Sequence, residues 1–156
     1  MSEAWKIPKA LHQVSMWVHP AGRVIGSLFV HLQSTRYEHG PQRPLEVLND
    51  GRHFLVLQRD EPKELRFYNR SAIVRVEYRD EAPESRDGLV AQRCQIHLMD
   101  GSLIEGTMMK SLPPDRSRLL DFLNLEEEAF MTIYGDDGIV CLINKAYVVC
   151  VRIPDR

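Results

Sequence analysis

The first part of the chain alternates apolar and polar residues with a period of two. Over residues 14–18 the apolar side chains of Val14, Met16 and Val18 occupy every second position, which is typical of a half-buried β-strand. Residues 20–23 contain proline and glycine and predict a turn, and residues 23–32 predict the second strand of a hairpin. Gly26 lies inside this second strand and predicts a sharp bend or bulge that lets a small sheet curl.

A different pattern follows the hairpin. Pro44 stands at a favourable first helical position, and the apolar residues after it predict one or two helical turns. Asn49 is expected to end this helix in the left-handed conformation. Three more strands are predicted at residues 53–58, 64–68 and 72–78.

The same order of elements occurs twice. Residues 43–49 and 118–124 share the pattern Arg, any residue, Leu, acid, apolar residue, Leu, Asn. Residues 14–26 also align without a gap on residues 94–106, so that Gly26 matches Gly106. Near the end of each copy, residues 65–76 align without a gap on residues 140–151. The sequence therefore predicts an internal duplication.

The repeat divides the chain into four parts. Residues 1–11 are predicted to be an N-terminal arm, residues 12–78 the first repeat, residues 79–92 a linker and residues 93–156 the second repeat. The linker is charged, contains proline and glycine and has no apolar period. Five short strands joined by hairpins predict an all-β fold with short helical turns, in which each repeat forms a five-stranded, strongly curved small barrel.

Charge is unevenly distributed between the two halves. The formal net charge is −2, but residues 1–78 carry 11 Lys and Arg against 8 Asp and Glu, and residues 79–156 carry 9 against 14. A basic field over the whole protein is absent, which argues against strong non-specific binding to nucleic acid. The opposite signs suit a head-to-tail contact between unlike halves.

Cysteine and histidine residues show no spacing typical of a metal site. Cys94, Cys141 and Cys150 have no CxxC spacing and lie within apolar strand patterns, which predicts buried structural thiols in a reducing compartment. The six histidines, at positions 12, 19, 31, 39, 53 and 97, show no metal-ligand pairing. No glycine-rich phosphate loop and no activated nucleophile appears, so we expect neither cofactor nor enzymatic activity.

Targeting and membrane signals are also lacking. No apolar run approaches the roughly 20 residues that cross a bilayer, and the N-terminal residues lack the apolar core of a signal peptide. These features predict a cytoplasmic protein without a membrane partner.

The second repeat contains two short motifs. The first is Leu98-x-Asp-Gly-x-x-x-x-Gly106 followed by Asp121-Phe-Leu-Asn124, and the second is the segment of residues 142–151. Together they resemble the two motifs of the Sm-like (LSm/Hfq-type) proteins. The first repeat carries weaker versions at Asn49 and residues 67–76. The chain resembles most the uncharacterised bacterial Sm-like proteins with an Arg-x-x-acid-x-Leu-Asn segment, here in tandem.

This resemblance implies an assembly and a ligand. It implies five-stranded barrels whose fourth and fifth strands pair with neighbouring copies to build rings, and hence a homo-oligomer. In RNA-binding members, the loop after the second strand and the turn between the fourth and fifth strands hold single-stranded RNA. Carried over to this sequence, the implied RNA-binding residues are Asn49, Asn69, Arg70, Asn124, Asn144 and Lys145.

Local structural roles for these residues remain open beside the functional ones. Asn49 and Asn124 are also typical of residues that end a helix, whose side chains form hydrogen bonds with nearby backbone groups. Arg70 and Lys145 are equally consistent with solvated charges in a turn.

Two functional hypotheses follow. The first is a non-enzymatic tandem Sm-like protein that self-associates through strand edges and binds single-stranded RNA or a small polar ligand. The second is a scaffold or regulatory module that contacts only protein partners and binds no nucleic acid. The acidic second half and the lack of a basic patch favour the second hypothesis.

Overall fold

The computed structural model describes residues 9–34, 40–80, 88–110, 119–126 and 128–154, without the side chains of Lys110 and Asp137. These residues form ten β-strands and two short α-helices. They belong to two compact units, Met1–Ile73 and Val74–Arg156. The prediction of an all-β fold with short helical turns is therefore confirmed, while its division into two five-stranded barrels stays a prediction.

The first unit is an antiparallel meander. Its elements are β1 (Lys9–Val18), β2 (Gly22–His31), α1 (Pro44–Leu48), β3 (Phe54–Arg59) and β4 (Glu64–Asn69). The strands pair in the order β1-β2-β3-β4, and a short 3-10 turn at Arg70–Ala72 follows. Alternate residues of β1 and β2, such as Met16 and Leu28, are fully buried together with Leu48 of α1. The predicted period-two pattern thus places one face of this sheet in a core.

The second unit contains six strands. Its elements are β5 (Ile73–Arg79, which begins at the last residue of the first unit), β6 (Val90–Leu98), β7 (Leu103–Lys110), α2 (Leu119–Leu123), β8 (Phe130–Tyr134), β9 (Ile139–Asn144) and β10 (Val148–Arg152). The strand order is β10-β6-β7-β8-β9-β5. Strand β5, which the sequence assigns to the first repeat, pairs antiparallel with β9, and Arg75 to Arg79 face Ile143 to Ile139.

Gly26 and Gly106 occupy the same position in the two copies. Gly26 pairs with Val14 in the first hairpin, and Gly106 pairs with Cys94 in the second. The neighbouring strand passes directly over both glycines, so neither position has room for a Cβ atom. The close approach explains why glycine stands inside these strands.

The two copies also share backbone hydrogen bonds outside their ladders. Arg70 N donates to His53 O over 2.7 Å, and its counterpart Lys145 N donates to Ala129 O over 2.9 Å. The duplicated order of elements in the sequence is thus accompanied by equivalent connections between the end of the fourth strand and the start of the third.

Several boundaries differ from those predicted. Strand β1 begins at Lys9, inside the predicted arm of residues 1–11, and β6 begins at Val90, inside the predicted linker of residues 79–92. Lys9 pairs with His31 and Val90 with Lys110, so the ladder pairing of both strands extends beyond the alternation of apolar residues. Residues 1–8 and 81–87 lie outside the described part of the chain.

The environment of the cysteines is partly as predicted. All three are free thiols, and Cys94 and Cys141 are buried, but Cys150 is exposed, so the prediction of a buried thiol is wrong there. Strand β10 pairs with β6 in a register that shifts between Val148 and Cys150, and β10 is the last strand in the order of its unit. Apolar residues of such an edge strand are not covered from both sides.

Among the described residues, neither helix is long or apolar enough to span a membrane.

Candidate functional site

The six predicted site residues form two equivalent groups, one in each unit. Each group has an asparagine at the end of the short helix and an asparagine followed by a cation in a 3-10 turn.

The turn asparagines hold their own turns. Asn69 Oδ1 accepts hydrogen bonds from Ser71 N at 3.0 Å and from Ser71 Oγ at 2.8 Å. In the second unit, Asn144 Oδ1 accepts from Ala146 N at 3.0 Å. Asparagine is favoured here because its short side chain reaches the backbone two residues ahead. The two differ in access, since Asn69 is exposed whereas Asn144 is only 5% exposed.

The turn cations reach towards the end of the preceding helix. Arg70 Nη1 donates to Leu48 O at 3.4 Å in the first unit, and Lys145 Nζ donates to Leu125 O at 3.0 Å in the second. The structure therefore brings the turn and the helix end together in each unit. Part of each cation's hydrogen-bonding capacity is used on the protein's own backbone.

The helix-end asparagines act locally. Asn49 N and Asn124 N donate to the carbonyl oxygens of Leu45 and Leu120 at 3.0 and 3.1 Å. Asn124 Nδ2 donates to Leu120 O as well, at 3.0 Å. The predicted left-handed conformation of Asn49 is wrong, because its φ is −99° and Gly51, two residues later, takes the positive φ of 90°. Glycine adopts that conformation without the steric cost that a Cβ atom imposes.

A small cleft of about 70 Å³ lies next to the first group and was not predicted from the sequence. Its walls include Phe29 of β2, Phe54 of β3 and Val47 of α1, and Lys9 and Arg52 also line it. Phe54 lies directly opposite Asn69 in the β3–β4 ladder, so these two side chains point to the same face of the sheet. One signal was available, since residues 54–57 are apolar without interruption and therefore place apolar side chains on both faces of β3.

Two of the cysteine thiols are buried, and burial disfavours their ionised form. Burial raises the pKa of the Cys94 thiol and raises that of Cys141 to about 12, which disfavours the reactive thiolate. Hydrogen bonding from Ser102 lowers the pKa of Asp100, which is part of a turn. No group of three or more His, Cys, Asp or Glu that could hold a metal ion occurs in the described ranges. The chemistry that the named residues can perform is hydrogen bonding, charge pairing and stacking.

No protein-family model, no curated protein and no solved structure matches the chain.

Proposed function

We propose that this protein is a non-enzymatic, tandem Sm-like protein that self-associates through its strands β4 and β10 and binds single-stranded RNA. The observation that carries the self-association is a difference in burial between equivalent strands of the two copies. By the sequence alignment of the repeats, β4 is the counterpart of β9, and β10 is the counterpart of β5.

Strand β4 is uncovered where β9 is buried. Phe67 of β4 is 69% exposed, whereas its counterpart in β9, Leu142, is fully buried. Leu65 is likewise exposed, and its counterpart Val140 is buried. Strand β9 lies between β8 and β5, while β4 is the last strand in the order of the first unit. A strand with exposed apolar side chains and unpaired backbone groups is a template for pairing with another chain.

Strand β10 shows the same difference from β5. Val149 is 63% exposed, whereas its counterpart Val74 is 2% exposed. If β4 of a second copy paired with β10 as β9 pairs with β5, Val151 would face Phe67 and residue 153 would face residue 65. Such a pair would bury apolar surface that is now in contact with water.

One position of this model pair brings like charges together. Arg152 of β10 would face Arg66 of β4 in a second copy. Arg66 Nε already donates to Glu64 Oε1 at 2.6 Å, so the carboxylate offsets one of the two positive charges. The register is therefore compatible with the charges on the two strands.

Single-stranded RNA is the ligand that we assign to the turns. Each turn combines an amide with a neighbouring cation, Asn69 with Arg70 and Asn144 with Lys145, and such pairs contact base edges and phosphates. Asn69 offers the more accessible amide, and the first half of the chain carries the positive net charge. The first unit is thus the stronger candidate for RNA contact.

A second candidate function is a module that binds only proteins. The low exposure of Asn144 favours it, because an amide that is buried and bonded to Ala146 N has little access to a base. The excess of acidic residues in the second half favours it too.

Light scattering on purified protein, with the 260/280 nm absorbance ratio of the same peak, tests both parts. We expect the wild type to be an oligomer that carries nucleic acid, which high salt removes. Phe67→Asp and Val149→Asp should each reduce the assembly to smaller species with unchanged circular dichroism, because the changed side chains are exposed in the single chain. Leu103→Asp is the matched control, since Leu103 is an exposed apolar residue on β7, which lies between β6 and β8.

Each outcome bears on one part of the proposal. A monomeric wild type, or variants that remain assembled, would exclude pairing through β4 and β10. An oligomer that neither carries nor binds RNA would favour the protein-binding module instead.

A further inference from the structure

We propose that the cleft beside α1 in the first unit binds one nucleobase together with its phosphate, with the base stacked on Phe54 and the phosphate held by Lys9 and Arg52. This inference deepens the proposed function and rests on it for the view that the nucleotide belongs to RNA.

The aromatic wall of the cleft faces outward from the sheet. Leu55 and Leu57 of β3 are buried. Because side chains alternate along a strand, Phe54 and Val56 point away from the core. Phe54 is 57% exposed, and its counterpart in the second copy, Phe130, is fully buried. Exposure of this ring is therefore a feature of the first unit and not of the repeat. An exposed ring on a strand is a surface on which a base can stack.

Two cations lie at the rim of the cleft. Lys9 lines the cleft and is exposed, and the Arg52 side chain is 72% exposed. In the aligned second copy, the positions of Lys9 and Arg52 are occupied by Leu89 and Glu128, so neither carries a positive charge. The positive charges thus accompany the exposed ring in the one copy that has it. A ring next to cations is complementary to a flat ligand that carries negative charge.

The remaining polar groups at the cleft have identified roles. Asp50 Oδ1 accepts from Arg52 N at 2.9 Å, and Asp50 Oδ2 lies 3.5 Å from Arg52 Nε. The carboxylate therefore holds the arginine in place and is offset by it. Gln42 Oε1 accepts a hydrogen bond from the backbone N of His31 at 3.0 Å. His31 also lines the cleft.

The size of the cleft limits what it can hold. A volume of about 70 Å³ is smaller than a typical site for a drug-sized ligand, so the cleft accommodates the edge of one flat ring. The sugar and phosphate of a nucleotide would then remain at the rim, where the two cations lie. Asn69 lies opposite Phe54 in the ladder, on the same face of the sheet as the ring.

Two measurements test the inference. The first is fluorescence anisotropy with labelled hexanucleotides of adenosine and of uridine, and the second is calorimetry with the free nucleoside monophosphates. We expect Phe54→Ala to weaken hexanucleotide binding by roughly tenfold or more. Phe54→Tyr, which keeps the ring, should bind like the wild type. Lys9→Ala combined with Arg52→Ala should weaken binding and reduce the salt dependence by roughly two counterions. Two control variants change residues outside the cleft. Ile25→Ala alters an exposed apolar residue of β2, and Lys63→Ala removes a cation from the turn before β4. Both variants should bind within about twofold of the wild type.

The outcomes separate this inference from the proposed function. Binding of hexanucleotides that Arg70→Ala weakens and Phe54→Ala does not would overturn the cleft and leave RNA binding in place. If the protein binds monophosphates but not hexanucleotides, and Phe54→Ala loses that binding, the cleft is supported as a nucleotide site and RNA is excluded as its ligand. Absence of binding to every probe would overturn both.

Discussion

Ile133 packs so closely over Gly106 that a Cβ atom at position 106 would lie 2.5 Å from Cγ2 of Ile133 and 2.7 Å from the carbonyl oxygen of Tyr134. The first copy repeats this contact, because a Cβ atom at Gly26 would lie 3.0 Å from Cγ of Leu57 and closer still to the carbonyl oxygen of Gln58. In both units the third strand of the repeat therefore crosses its second strand where only glycine fits.

We expect Gly26→Ala and Gly106→Ala each to lower the free energy of unfolding by about 1–3 kcal/mol, because the added methyl group meets backbone atoms that cannot move aside alone. Urea denaturation followed by circular dichroism measures the change. Gly135→Ala is the control, since its nearest neighbour would lie 3.5 Å from the new Cβ atom, and its stability should change by no more than about 0.5 kcal/mol. Unchanged midpoints in the first two variants would contradict the close crossing.

Local pattern was sufficient for much of the fold. The alternation over residues 14–18 correctly predicted which side chains are buried, since Val14, Met16 and Val18 are all in the core. The first short helix also begins at the proline and ends before the asparagine that predicted it, at Pro44–Leu48. These features depend on neighbours in the chain, and so a single sequence contains them.

Features that depend on distant partners could not be predicted in this way. Val149 and Cys150 have the apolar pattern of a buried strand but are exposed, because β10 is an edge strand with a shifted register. Val149→Asp should therefore leave the single chain folded. The cleft at Phe54 could not be predicted for the same reason. Phe54 and Phe130 are aligned in the two repeats, but Phe54 is exposed and Phe130 is buried in a core.

The two turn asparagines should differ in their effect on stability. Asn144 is buried, and Asn144→Ala removes the oxygen that accepts a hydrogen bond from Ala146 N. We expect this change to lower the free energy of unfolding by about 1–3 kcal/mol. Asn69→Ala should lose less, about 0.5–1 kcal/mol, because water can replace the amide at that exposed turn. Thermal and urea unfolding of both variants measures the difference. Asn144→Asp keeps an acceptor oxygen at the same place and serves as the control, so a loss equal to that of Asn144→Ala would contradict the assigned hydrogen bond.

The three thiols should react at very different rates. Cys150 is exposed, whereas Cys94 and Cys141 are buried and the pKa of each buried thiol is raised by burial. Brief treatment of the folded protein with a maleimide should therefore add one group, at Cys150, and unfolding in urea should expose the other two. Mass spectrometry of intact and digested protein counts and locates the adducts. In the assembled protein the reaction of Cys150 should be slower, because the proposed β4–β10 pair covers its strand, and Phe67→Asp should restore the faster rate.

Cys141 should make stability depend on alkaline pH. Burial, followed by the charge of Glu77, raises the pKa of this thiol from an ordinary value of 9.0 to about 12. Between these values the thiol of the unfolded chain loses its proton while that of the folded chain keeps it, so the free energy of unfolding should fall as pH rises above 9. Cys141→Ala lacks this titration. The stability difference between wild type and Cys141→Ala should therefore shrink by about 2 kcal/mol between pH 8 and pH 10.5. Val140→Ala, which removes a buried apolar group from the same strand, should keep a constant difference from the wild type over this range. A Cys141→Ala curve that runs parallel to the wild type would show that the thiol is ionised in the folded protein as readily as in the unfolded chain.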